Sequence, residues 1–182
     1  MEAYKEASRE HIELSNALHA DVSFCVERLK QENTPFWRRV YARTLVASFE
    51  GLLFNLRQVA LTIGPLRGVE FSRDELALLR EERHSLDSRG RPRTRTQFLR
   101  LDAGLRFSMS MFARAHTKEF EADCEGQGWE DYKKAIEIRN RISHPKFVAE
   151  IEISSEEMNA MFRGGGWFLE QNSLLLSASV LD

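Results

Sequence analysis

The chemistry this sequence offers is concentrated in one stretch, Ile138-Arg139-Asn140-Arg141-Ile142-Ser143-His144-Pro145. Arginine is always charged and forks two phosphate oxygens at once. Histidine is the side chain whose ordinary titration range lets it take and return a proton near neutrality. These are the parts needed to cut RNA through its own 2′-hydroxyl: a base for the hydroxyl proton, an acid for the leaving 5′-oxygen, and positive charge for the phosphorane between them. One motif supplies one histidine; two copies supply both the base and the acid. Asn140 and His144 stand four apart, so on a continuous helix they share a face, and Asn140 is expected to orient the imidazole. Ser143 and Lys146 are expected as supporting RNA-phosphate contacts. The plainer alternative is that Arg139 is a solvated helix residue and His144 a C-terminal residue favoured by the helix dipole.

An Arg and a His five apart carry little information in a chain with 5 histidines and 26 basic residues. Requiring Asn directly after the Arg lowers the chance expectation to about two in a hundred. Arg139-Asn140-x-x-x-His144, at the end of a long helix stopped by Pro145, resembles the signature of the HEPN superfamily (higher eukaryotes and prokaryotes nucleotide-binding domains). The resemblance implies a helical-bundle homodimer, often a metal-independent endoribonuclease of toxin–antitoxin, abortive-infection or antiviral defence systems. Arg139, Asn140 and His144 would then be the catalytic residues, meeting their twofold mates in a cleft. The resemblance implies no metal or other cofactor, and an antitoxin or defence partner is expected. Many toxins of that family carry a Tyr two positions after the His; here the position is Lys146, a departure that bears on regulation rather than on cleavage. A non-catalytic module of the same fold, binding RNA or a nucleotide or serving as an adaptor, is the alternative reading.

Other clusters weigh less. Arg89, Arg91, Arg93 and Arg95 fall in an arginine-rich loop over residues 89–96, which reads equally as an RNA-phosphate arm and as a solvated loop balancing acidic helices. His116, Glu119 and Asp123 have the spacing of one helix face but lack a second ligand cluster, so no metal site is expected. Gly164-Gly165-Gly166 has no Lys-Ser/Thr after it and reads as a helix break rather than a phosphate loop. Cys25 belongs to an apolar stripe, and the 2 cysteines make no disulfide framework.

The elements that must position the motif are helical. Leu14, Leu18, Val22, Cys25 and Leu29 mark a helix over about 3–31. Thr34-Pro35 is a start signal for a second helix ending at Gly64-Pro65. Ser72 with Glu75 is a capping box for a helix over about 73–87, flanked by the staple Phe71 and Leu76. A fourth helix carries Phe98, Leu101, Leu105, Met109, Phe112 and His116. A fifth runs from Trp129 to His144, because proline disfavours the α conformation before it. Phe147–Ile153 alternates weakly and is expected to be extended. Ser154 with Glu157 is a second capping box for a short helix. On the motif helix, Ala135, Ile138 and Ile142 fall within about 60° and face the chain's own core. Trp129, Tyr132 and Ile136 lie on the next arc beside Arg139, a composition suited to a dimer interface.

The expected fold is therefore all-α: an up-and-down helical bundle of four to five long helices in a single domain over 1–182, with residues 147–182 as a short C-terminal extension. With 42% hydrophobic residues in 182, the chain can fill a core. A net charge of −2 excludes coating nucleic acid by bulk charge alone. The opening MEAYKEASREH lacks the apolar run of a signal peptide, and Ser173–Leu181 is about half a membrane span in length. A cytoplasmic protein with no membrane partner is expected.

Overall fold

The computed structural model describes residues 2–180, and the side chains of 9, 10 and 12–179. Among these residues the protein is all-α apart from one hairpin. The elements are α1 (Glu2–Gln31), α2 (Pro35–Leu66), α3 (Arg73–Leu79), β1 (Glu82–Leu86), β2 (Pro92–Thr96), α4 (Leu101–Ala115), α5 (Gly126–Ser143), a 3-10 turn (Val148–Ile151) and α6 (Ser155–Val180). No described helix is long and apolar enough to cross a membrane. The chain divides into two compact units, one made of Ile12–Leu52 with Ala122–Leu174, the other of Leu53–Glu121 with the ends of the described chain.

The first unit is a four-helix bundle of α1, the first half of α2, α5 and most of α6. Its contacts fix the directions. A Cβ on Gly51 would touch Leu18, while Cys25 donates to the Thr44 hydroxyl across 3.7 Å, so α1 and α2 are antiparallel. Tyr41 meets Phe162 and Phe49 meets Phe168, so α2 and α6 are parallel. In chain order the four helices alternate in direction, as an up-and-down bundle requires. Local chemistry starts them where the sequence indicates. The Thr34 hydroxyl accepts the Trp37 N–H, and the Ser154 and Glu157 side chains accept each other's backbone N–H.

Two expectations about the C-terminal third are corrected. The middle of the segment 147–153 is not extended: Val148–Ile151 form the 3-10 turn, while Phe147 and Glu152 on either side are extended. Nor does the chain end in a short extension: α6 runs unbroken for 26 residues through Gly164-Gly165-Gly166. Gly164 serves close approach rather than a break. A Cβ on Gly164 would lie 2.6 Å from the backbone of Asp131 and Tyr132, so α6 crosses α5 backbone to backbone. A Cβ on Gly166 meets nothing within 4 Å. Gly164→Ala is therefore expected to cost about 1–3 kcal/mol, because the opposing backbone has no rotamer into which to retreat. Gly166→Ala, two residues on, is expected to gain roughly 0.5–1 kcal/mol from helix propensity alone. Urea unfolding of the two variants checks this pair; equal midpoints would show that the crossing is not tight.

The second unit packs Leu79 of α3 with Met111 and Ala115 of α4 against Ala60. Its helix α3 is shorter than expected. After Arg80, Glu81 takes a left-handed conformation (φ 54°) and its carboxylate pairs with the buried Arg57 guanidinium, which also donates to Ser108 at 2.8 Å. That long-range pull stops the helix at Leu79, and residues 82–96 form a β-hairpin rather than helix and then loop. Asp87 closes the turn by accepting the Arg89 and Arg91 N–H groups at 2.8 and 2.9 Å, with Gly90 at φ 71°. Helix α4 begins at Leu101, leaving Phe98 82% exposed rather than on the core stripe.

The capping box of α3 is tied into an ion pair. Arg114 donates to both Glu75 oxygens, at 2.7 and 2.9 Å, and lies over the Phe71 ring. Those Arg114 bonds, then the Ser72 N–H, hold the Glu75 carboxyl down to about 2. A depressed carboxylate contributes stability above its unfolded value and loses it as pH falls toward the folded one. Glu75→Gln, which keeps the cap, is expected to lower stability at pH 7 by about 1 kcal/mol, since the pair is partly solvated. The difference from wild type should shrink between pH 4.5 and 2. Thermal melts across that range measure it, and a pH-independent difference would remove Glu75 as the titrating group.

Candidate functional site

The sequence motif occupies the last two turns of α5 and the residues just beyond. Ala135, Ile138 and Ile142 are buried, as the helical wheel requires, and they fix the rotation of the helix. Arg139 is thereby turned toward α2, where its guanidinium pairs with the Glu50 carboxylate. Asn140 and Ser143 are exposed. His144 caps the helix with φ −131° and ψ 52°, ahead of Pro145, and its ring is exposed. Because His144 has left helical geometry, it does not continue the face of Asn140. Neither the Asn140 amide nor the His144 imidazole has a hydrogen-bond partner among the described residues. The expected orientation of His144 by Asn140 is therefore not made.

Sequence reasoning missed what α2 brings to this place. Arg43 donates to the Ile142 carbonyl at 3.1 Å, covering the open C-terminal end of α5 with a cation. That end is a partial negative pole, so a guanidinium there is favourable. Arg39 stands one turn earlier on α2, and Arg43 and Glu50 are themselves two turns apart. The signal was available: these charged positions form a polar strip on a helix whose other faces are apolar. What the sequence could not show is that the strip faces the motif.

Two further ties hold the segment after the motif. Arg141 donates to Glu157 at 2.8 Å, and the other Glu157 oxygen accepts the Ser154 N–H in the α6 cap. Arg38 donates to the Ile153 carbonyl at 2.8 Å and to the Ser155 hydroxyl at 3.3 Å. Lys146 is exposed, and its backbone N–H donates to Glu150 at 2.5 Å. His144 thus lies two residues past the carbonyl that Arg43 covers and two before Lys146, on a segment anchored on both sides, with Phe147 72% and Val148 78% exposed soon after it.

The expected interface arc is corrected. Tyr132 is fully buried and Trp129 nearly so. Tyr132 contacts Phe49, Trp129, Trp167 and Phe168, with ring centroids 4.9–5.8 Å apart. These rings belong to the protein's own core and offer nothing to a second copy; of the three, Ile136 alone keeps partial exposure.

The arginine-rich segment lies in the other unit. Of its four arginines, Arg89 and Arg91 are in or beside the turn and Arg93 and Arg95 are on β2. The register places Arg95 opposite Arg83 and Arg93 opposite Ser85, so Arg83, Arg93 and Arg95 share one hairpin face. Arg93 is within 3.5 Å of Asp87. The trio His116, Glu119 and Asp123 does not share a helix face, because α4 ends at Ala115 and Thr117 turns left-handed. His116 is buried with its Nδ1 against the Phe112 carbonyl at 2.8 Å.

No family model, no curated protein and no solved structure matches this chain.

Proposed function

We propose that the protein is a metal-independent endoribonuclease of HEPN type that works as a homodimer, in a toxin–antitoxin or antiviral defence setting. The observation that carries the reading is the end of α5: Arg139 pairs with Glu50 of α2, and a second guanidinium from α2, that of Arg43, donates to the Ile142 carbonyl two residues before His144. In this reaction His144 of one copy takes the 2′-hydroxyl proton, and the oxygen attacks the adjacent phosphorus. His144 of the second copy protonates the departing 5′-oxygen. Arg139 and Arg43 balance the phosphorane charge. The products are a 2′,3′-cyclic phosphate and a free 5′-hydroxyl. The test is to incubate RNA with the pure protein and map the ends, with and without EDTA. Cleavage that stops with EDTA and returns with magnesium overturns the mechanism.

The alternative, a binding or adaptor module of the same fold, draws on the Arg139–Glu50 pair. A carboxylate already holds the motif arginine, and a phosphate must displace it or share it. A binder retains RNA on the intact site without cutting it, so the same incubation separates the two readings.

The hairpin supports affinity rather than chemistry. Like charges directly across a strand pair are unfavourable unless an anion or a counterion joins them. Replacing Arg83, Arg93 and Arg95 together with Gln is expected to weaken RNA binding. It should also lower the slope of log affinity against log salt by roughly 0.7 for each phosphate no longer neutralised. Filter binding at several salt concentrations checks this, and an unchanged slope assigns the arginines to solubility.

A further inference from the structure

Between α1, α2 and α6 the four-helix unit leaves a cavity of about 330 Å3. That volume is at the lower end of the range for small-molecule sites. Leu18, Val22, Leu45, Phe49, Leu52 and Phe168 give it apolar walls. The cavity is open on one side, and its apolar walls forgo the close packing that a filled core supplies. The glycine run on α6 helps keep it open. Gly165 and Gly166 both line it, and a Cβ on Gly166 would still meet open space.

One polar group in the wall makes no hydrogen bond to the described residues. Tyr41 is only 2% exposed, and its hydroxyl has no hydrogen-bond partner among the described residues. The hydroxyl stands 3.8 Å from where a Cβ on Gly165 would be, at the cavity wall. The hydroxyl is not among the fully buried unpaired atoms, so it keeps access to the cavity space and can donate to an acceptor placed there. The other inner hydroxyl, Ser48, is already spent on the Leu45 carbonyl at 2.6 Å. Burial pushes the Tyr41 phenol above its ordinary range, which keeps it a neutral O–H donor. No lysine or arginine lines the cavity; its titratable lining residues, Glu27 (paired with Lys30 at 2.7 Å) and His19, are both at the exposed edge, away from the inner wall. A carboxylate or phosphate seated at the inner wall would therefore have no fixed cation beside it.

We propose that this cavity is a binding site for a neutral apolar small molecule carrying a carbonyl oxygen, which accepts the Tyr41 O–H. The site is separate from the motif at the end of α5 and does not rest on the ribonuclease reading. The probe is Prodan, a neutral naphthyl ketone whose emission reports both the polarity around it and hydrogen bonding to its carbonyl. Titrating it into the full chain is expected to give saturable binding, with emission shifted to shorter wavelength than in water. Tyr41→Phe removes only the unpaired hydroxyl, so the fold is retained. It is expected to weaken Prodan about 3–10-fold, the worth of one hydrogen bond, and to shift the bound emission further toward that in hydrocarbon. Gly166→Leu fills open space on a helix that prefers Leu to Gly, and it is expected to weaken the probe more than tenfold. Far-UV circular dichroism and the melting temperature confirm that each variant is folded. No saturable binding to wild type overturns the proposal. Wild-type affinity and emission in Tyr41→Phe would overturn carbonyl recognition, and wild-type affinity in Gly166→Leu would place the probe elsewhere.

Discussion

His144→Ala is expected to lower RNA cleavage by about a hundredfold to ten-thousandfold while leaving RNA binding and stability near wild type. The imidazole is exposed and makes no hydrogen bond among the described residues, so its removal leaves no cavity and no orphaned partner. Arg139→Ala should also lose cleavage, by about a hundredfold or more, because charge on the phosphorane is lost. Its stability cost is small, since the Glu50 pair it breaks is partly solvated and worth at most about 1 kcal/mol. The two variants differ in binding: Arg139→Ala should lose affinity as well as rate, whereas His144→Ala should lose rate alone. Single-turnover cleavage of an end-labelled RNA, with affinity measured in parallel, resolves them. If wild type binds RNA, releases no product and is indistinguishable from His144→Ala, the protein is a binding module and the catalytic assignment fails.

Tyr132→Ala is expected to cost about 3–5 kcal/mol, the range for a large ring removed from a packed core. Total stability is of the order of 5–15 kcal/mol, so this one change consumes a large share of it. The ring is sealed among Phe49, Trp129, Trp167 and Phe168, and nothing else can take its place between them. Tyr132→Asp adds an unpaired carboxylate to the same place and should leave no folded protein. It is therefore no probe of self-association, whatever the helical wheel implied. Phe147→Asp with Val148→Asp is the better one. Both positions are exposed and adjacent to the motif, so the variant should fold, sediment as a monomer and fail to cleave. Denaturant midpoints test the first claim and sedimentation the second. A Tyr132→Ala protein as stable as wild type would mean that the aromatic cluster contributes little to the core.

The sequence by itself determined what depends on neighbours within about four residues. Thr34-Pro35, Ser72 with Glu75, and Ser154 with Glu157 start helices because each cap is a hydrogen bond between residues three apart. His144-Pro145 ends α5 for an equally local steric reason. The inward set Ala135, Ile138 and Ile142 follows from helical spacing alone. Tertiary structure decided the rest. Three consecutive glycines weaken a helix on propensity, yet the first of them, Gly164, lets α6 lie against the α5 backbone, and that gain appears only when both helices are present. Helix α3 stops because Glu81 must reach the buried Arg57, a partner 24 residues away. Trp129 and Tyr132 turn into the core because Phe49 and Phe168 wait there, so an apolar arc beside an arginine could not by itself say which apolar surface would cover it. Arg43 and Glu50 reach the motif across some ninety residues of chain. Residue type and spacing say which side chains can do chemistry; which of them meet is set by packing between helices, and no local pattern encodes it.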